Sequence, residues 1–129
     1  MDGQGTAGGV TTKYESVVDD SHKYTNVLTD EYVGPGGAHH HYLILKKDSK
    51  HAFLEVRFQD GPIKESGVNG VMDENLLAIV IDRLKGFQSG PYASDFNQKA
   101  MAQCTAALAT LKERTAEREA RGVEGTHAV

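Results

Sequence analysis

Two stretches of helical periodicity separated by one short break decide most of what this chain can fold into. Leu76, Leu77, Val80, Ile81, Leu84 and Phe87 recur at the spacing of one helix face, and Ser89-Gly90-Pro91 stops the run. A second run starts near Ser94 and reaches about Arg121, where Gly122 closes it. Along it Met101, Cys104, Leu108 and Leu111 step by three and four, the spacing of a coiled-coil seam. Alanines at 100, 102, 106, 107 and 109 flank the seam and permit close backbone approach. Asp73 is the expected N-cap of the first helix, with Glu74 where the helix dipole favours an acid. The spacing therefore predicts helices over about 73–88 and 94–121, folded into an antiparallel hairpin. At 1.5 Å per residue they span roughly 24 Å and roughly 42 Å. The longer helix overshoots the shorter, and a second copy of the chain is the simplest cover for its inner face.

Upstream the period changes to two. Residues 41–59 read as a β-hairpin: Tyr42-Leu-Ile-Leu45 is the first strand, and Asp48-Ser49-Lys50 the polar turn. In the second strand Ala52, Leu54, Val56 and Phe58 fall on one face, with Phe53, Glu55, Arg57 and Gln59 on the other. Gly61-Pro62 ends the sheet. Such a hairpin is barely stable alone, so it must pack on something. The expected fold class is α+β, with an N-terminal antiparallel β-hairpin or small sheet packed on a C-terminal antiparallel helical hairpin. Residues 1–37 read as a flexible or partly β arm. Within it residues 1–12 are Gly/Thr-rich and loose, residues 13–33 carry scattered β-formers, and Gly34-Pro35-Gly36-Gly37 is a break. A main domain then runs over 38–126, with 127–129 as a tail.

The net charge of -4 is unevenly placed. Six acids stand against two lysines in residues 1–36, leaving twelve of each sign in the rest. No basic field exists for a phosphate backbone, so long nucleic acid is not an expected partner. Cys104 is the only cysteine, which rules out an intrachain disulfide and suits a reducing interior. No apolar run approaches a membrane span. A cytosolic protein is expected.

Arg114, Arg118 and Arg121 lie at i, i+4 and i+7 and share one helical face. Like charges so placed repel, and an anion between them would reverse the sign; guanidinium forks suit a pair of phosphates. Cations are also favourable near any helix C-terminus, and Glu113, Glu117 and Glu119 interleave as solvated partners, so both readings stand. Phe87 and Asn97 belong to the opposite end of the hairpin. An aromatic ring can stack on a base and a carboxamide can read its edge, or Phe87 simply closes the core and Asn97 is an exposed first-turn residue. One copy cannot bring this pair to the arginines; two antiparallel copies could. His39-His40-His41 offers two ligands on one strand face, short of a metal site, and is expected to be solvated or a pH-sensitive surface. Cys104 reads as a seam filler. No phosphate loop, nucleophile elbow or paired carboxylates mark a catalyst, and no cofactor is called for.

Four segments carry a resemblance. Phe58-Gln-Asp-Gly-Pro-Ile-Lys-Glu-Ser-Gly-Val-Asn-Gly70, Leu76-Leu-Ala-Ile-Val-Ile-Asp-Arg-Leu84, Phe87-Gln-Ser-Gly-Pro91 and Arg121-Gly-Val-Glu-Gly-Thr126 follow in order. Over roughly 38–126 the chain resembles the phage Thoeris anti-defence proteins, which share a helical hairpin with the anti-CBASS cyclic-nucleotide sponges. The resemblance implies a non-catalytic sponge acting in the host cytoplasm. It would bind cyclic nucleotide immune signals such as glycocyclic ADP-ribose, and also cyclic di- or trinucleotides, in dimers that assemble into hexamers. It implies a pocket in which Phe87 stacks on adenine and Asn97 reads a polar edge, while Arg114 and Arg118 of another copy hold phosphates. A second nucleotide pocket would involve Arg121, Gly122, Glu124 and Gly125. The alternative is a structural or adaptor phage protein whose helical hairpin docks a protein partner.

Overall fold

Five strands come first along the chain, in a computed structural model that describes residues 3–7, 10–16 and 21–129. They are β1 (Gly3–Ala7), β2 (Val10–Ser16), β3 (Thr25–Asp30), β4 (His41–Lys46) and β5 (Ala52–Arg57). They pair in chain order, every neighbour antiparallel. The segment expected as an arm supplies β1, β2 and β3. Within its Gly/Thr-rich start, expected to be loose, Gly3–Ala7 pairs with residues 10–14, because the ladder satisfies a backbone that threonine and valine already favour as strand. Asp2, Asp19 and Asp20 of the acidic stretch lie outside the described residues. The fold class is α+β, and the chain divides into two compact units. One holds the strands with Val68–Val71, the other Pro62–Gly67 with Met72–Val129.

Between β4 and β5 the turn places Asp48 in the left-handed region, at φ 58°, which aspartate tolerates. A register shift between Ile44 and Leu45 sets Leu54 opposite Ile44 but Ala52 opposite Leu45. The alternation of Ala52, Leu54, Val56 and Phe58 therefore does not become one buried face. Val56 is buried, while Phe53 and Leu54 are both exposed.

The small apolar cluster of the sheet joins Tyr14, Leu28 and Leu45, with Leu43 against it. Beside it runs a charged row. The register places Tyr14 opposite Asp30 and His41 opposite Arg57. His41 is buried, not solvated as expected for the triple histidine. Its Nδ1 lies 3.0 Å from Asp30 Oδ2 and its Nε2 2.9 Å from Glu55 Oε2. With an ionised carboxylate at each nitrogen, the ring serves both only by donating from both. The bond from His41 holds the Glu55 carboxyl below its ordinary value of 4.5, with Arg57 adding to the effect. Burial, then the Asp30 and Glu55 charges, push the Tyr14 hydroxyl up. The other two histidines turn elsewhere: His39 Nδ1 is 3.0 Å from the Tyr32 carbonyl, and His40 Nε2 is 3.6 Å from Asp60 Oδ1.

After β5 the chain closes a loop on itself. Asn69 accepts from the Asp60 N–H at 2.8 Å and donates to the Asp60 carbonyl at 2.7 Å. Gly70 then passes so close to Phe58 that a Cβ would collide with its carbonyl and lie 2.7 Å from the Arg57 oxygen. The glycine at this position is what lets Val71 bridge to Phe58.

The second unit contains a single turn, α1 (Ile63–Ser66), and two long helices, α2 (Asp73–Gln88) and α3 (Asp95–Ala120). Met72, not Asp73, is the N-cap of α2. The Asn75 carboxamide accepts from the Met72 N–H at 2.8 Å, and this sets the cap one residue upstream of the expected one, with Asp73 as the first helical residue. Ser94 caps α3 by accepting from the Asn97 N–H at 3.0 Å. At the other end Gly122 adopts φ 73°, with Gly122 N–H donating to Glu119 O and Val123 N–H to Arg118 O, a Schellman closure. The facing stripes are half-buried: Leu76, Leu77, Ile81, Leu84 and Phe87 on α2, and Met101, Cys104, Leu108 and Leu111 on α3. Val80, expected on that stripe, is exposed.

Replacing His41 by leucine leaves Asp30 and Glu55 without their shared donor and is expected to destabilise the chain by about 1–3 kcal/mol, read from urea midpoints. The depressed Glu55 carboxyl contributes stability that is present above 4.5 and is lost as pH falls through its lower folded value. Glu55→Gln should therefore be less stable than the native chain at neutral pH and converge with it on acidification.

Candidate functional site

The turn between the long helices gathers one group of candidate residues. The Phe87 ring stands edge-on to Tyr92, centroids 6.4 Å apart, and the Arg83 guanidinium lies 5.0 Å from the Phe87 centroid. Asn97 donates from Nδ2 to the Tyr92 carbonyl at 3.2 Å, which leaves its Oδ1 as a further acceptor. Gln88 fixes the turn by accepting from the Ser94 N–H at 2.9 Å and donating to Gln98 Oε1 at 3.4 Å. The structure thus brings Phe87 and Asn97 together through Tyr92. Sequence reasoning missed Arg83 and Tyr92. Arg83 had a signal, since it stands four residues before Phe87 on the same helix face.

The second group sits at the far end of α3. Asn97 and Arg114 are separated by roughly 25 Å along the helix at 1.5 Å per residue. Within one copy the two groups are apart.

The three arginines share a face but not an environment. Arg114 is exposed, and among the described residues it has no hydrogen-bond or ion-pair partner. The Arg118 side chain is only 21% exposed and is tied to the C-terminal turn. Its Nε donates to Glu124 Oε2 at 3.0 Å, and its Nη2 to the carbonyls of Val123 at 3.0 Å and Thr126 at 3.2 Å. Arg121 pairs with Glu117 and donates to the Val129 main-chain oxygen at 2.8 Å.

A sequence signal for this difference exists. The seam of Met101, Cys104, Leu108 and Leu111, continued by four and three, reaches Thr115 and Arg118, both half-buried. Arg114 lies off that stripe.

The residues expected to line a second nucleotide pocket build the C-terminal turn. Gly122 and Gly125 take positive φ of 73° and 77°, Glu124 holds Arg118, and the Lys64 N–H donates to the Gly125 carbonyl at 3.0 Å. A Cβ on Gly125 would stand 3.2 Å from Lys64 Cγ. The turn thereby covers part of the α3 overshoot that sequence reasoning left to another subunit. Among the described residues no group of three or more histidine, cysteine or acidic side chains is placed to hold a metal, and no helix is long and apolar enough to cross a membrane.

The fold and these two groups define an α+β protein that carries its candidate binding residues on a helical hairpin. A family model described as "Acb2/Tad1, hairpin domain" matches residues 50–116, just over half of the chain. The match spans Phe87, Asn97 and Arg114, and stops before Arg118. The chain is also 43% identical over 100 residues to "Thoeris anti-defense 1" of Bacillus phage SBSphiJ7, covering 78% of this chain and 70% of that protein. It belongs to the phage Thoeris anti-defence family.

Arg118→Ala is expected to loosen the turn, so that the amides of residues 123–126 gain hydrogen–deuterium exchange. Arg114→Ala, which removes no bond within the chain, should leave those amides as protected as before.

Proposed function

We propose that this protein is a phage anti-defence sponge. It binds cyclic nucleotide immune signals in the host cytoplasm, glycocyclic ADP-ribose first and cyclic di- or trinucleotides besides, and withholds them from their receptors without cleaving them. Thoeris immunity is the defence it blocks, and CBASS immunity a further one. The family match over 50–116 carries this reading, because it spans the ring, the carboxamide and the unpaired guanidinium that such a ligand requires.

In the proposed pocket Phe87 stacks on the base and Asn97 Oδ1 and Nδ2 address its edge. Arg114 and Arg118 come from another copy and meet the phosphates, since roughly 25 Å separates the groups within one chain. A dimer is the smallest assembly that completes the site, and hexamers repeat it. Arg114 supplies a free fork for bidentate contact with a phosphate.

Calorimetry against glycocyclic ADP-ribose, followed by denaturation and recovery of the ligand, tests the reading. Binding with the ligand returned intact supports a sponge; a hydrolysed product points to an enzyme instead. No binding at micromolar concentration, together with capture of a defined host protein, would support the adaptor alternative. Arg114→Ala should weaken binding by about 1.5–3 kcal/mol, roughly 10- to 150-fold in Kd, with an unchanged melting temperature. Rising salt should weaken binding modestly, because a small ligand engages few charges.

A further inference from the structure

Arg118 has five N–H donors, and its own C-terminal turn engages those on Nε and Nη2. Glu124 takes the Nε proton at 3.0 Å, and the Val123 and Thr126 carbonyls accept from Nη2. Nη1 is left over, and among the described residues nothing accepts from it. We propose that Glu124 is a positioning residue, which sets the Arg118 guanidinium so that Nη1 alone meets the ligand phosphate. This rests on the sponge reading above.

The turn holds Glu124 through main-chain bonds as well as through Arg118. Gly122 and Gly125 flank it with positive φ, the Schellman bonds fix its start, and the Gly125 carbonyl accepts from the Lys64 N–H. A four-torsion side chain that would otherwise sample many rotamers is thereby held in one before any ligand arrives. The cost of ordering it falls on folding rather than on binding. Glu124 also offsets the charge of Arg118, so the phosphate meets a placed donor at 118 and a full positive charge at 114. Were Glu124 only a competitor for the guanidinium, its removal would tighten binding; as a positioning residue its removal loosens it. The two carbonyl partners favour the second role, because an incoming phosphate cannot displace main chain fixed on both sides.

Titration calorimetry of the full chain with glycocyclic ADP-ribose tests the assignment. Glu124→Ala should weaken binding about tenfold, while Glu124→Gln, which keeps an acceptor for Nε–H, should stay within about twofold of the native chain. Adding Glu124→Ala to Arg118→Ala should cost nothing beyond Arg118→Ala alone, a coupling that a merely structural role would not produce. Unchanged or tighter binding by Glu124→Ala, or full additivity in the double variant, overturns the assignment and leaves the pocket standing. Native affinity in Arg118→Ala, or no binding by the native chain, overturns the assignment and the pocket reading together.

Discussion

The helical hairpin is locked at its ends rather than filled in its middle. No residue of α2 or α3 is buried, and the seam between them is half-exposed throughout. Leucine and alanine packing of this kind keeps two helices side by side but leaves them free to slide and splay. Polar bonds at the two ends remove that freedom. At the turn, Gln88 reaches Ser94 and Gln98, and Asn97 reaches Tyr92. At the open end, Arg118 gathers the C-terminal turn while Lys64 and Glu65 of α1 hold Gly125 and His127. Phe87, Asn97 and Arg118 sit at these two locks, and Arg114 lies one turn before the second. Rigidity is concentrated where a small ligand would need its contacts placed in advance.

The sheet follows a related logic with different chemistry. Among the described residues its apolar cluster holds three buried side chains, a thin core for a sheet. Across the strands the register stacks a hydroxyl, a carboxylate, an imidazole and a guanidinium in one row, with Glu55 closing it from β5. Buried charges are costly unless each is paired and bonded, and His41 meets that condition at both ring nitrogens. Such a row specifies register well, because a slip of one residue would carry His41 to the other face and leave two carboxylates facing each other.

The hairpin was the more legible half of the sequence. Its stop at Ser89-Gly90-Pro91, its seam and its closing glycine all act locally, and the helices begin and end within a residue or so of where those signals place them. The N-terminal strands were hard to see, because their apolar residues are few and scattered among polar ones, and their partners lie on neighbouring strands. His41 was misread for a similar reason. Its partners Asp30 and Glu55 are eleven and fourteen residues away, and nothing in the triple histidine itself says which ring will turn inward. Phe87 and Asn97 were placed correctly at one end by helix arithmetic. The three arginines were grouped by their common face, which hid that one of them continues the seam.

That distinction changes what the basic end of α3 can do. Arg118 and Arg121 are each offset by an acid, Glu124 and Glu117, so their positive charge is largely cancelled at a distance. Arg114 is not. In a chain of net charge -4, a polyanion approaching this end would feel little attraction beyond a Debye length. A compact phosphate brought within hydrogen-bond reach meets something different: one uncompensated fork and one fixed donor a single helical turn away. Contact chemistry dominates there, and long-range steering contributes little. For the proposed function, the balance of acids and bases at the end of α3 would therefore select by size and closeness of the anion, not by its total charge.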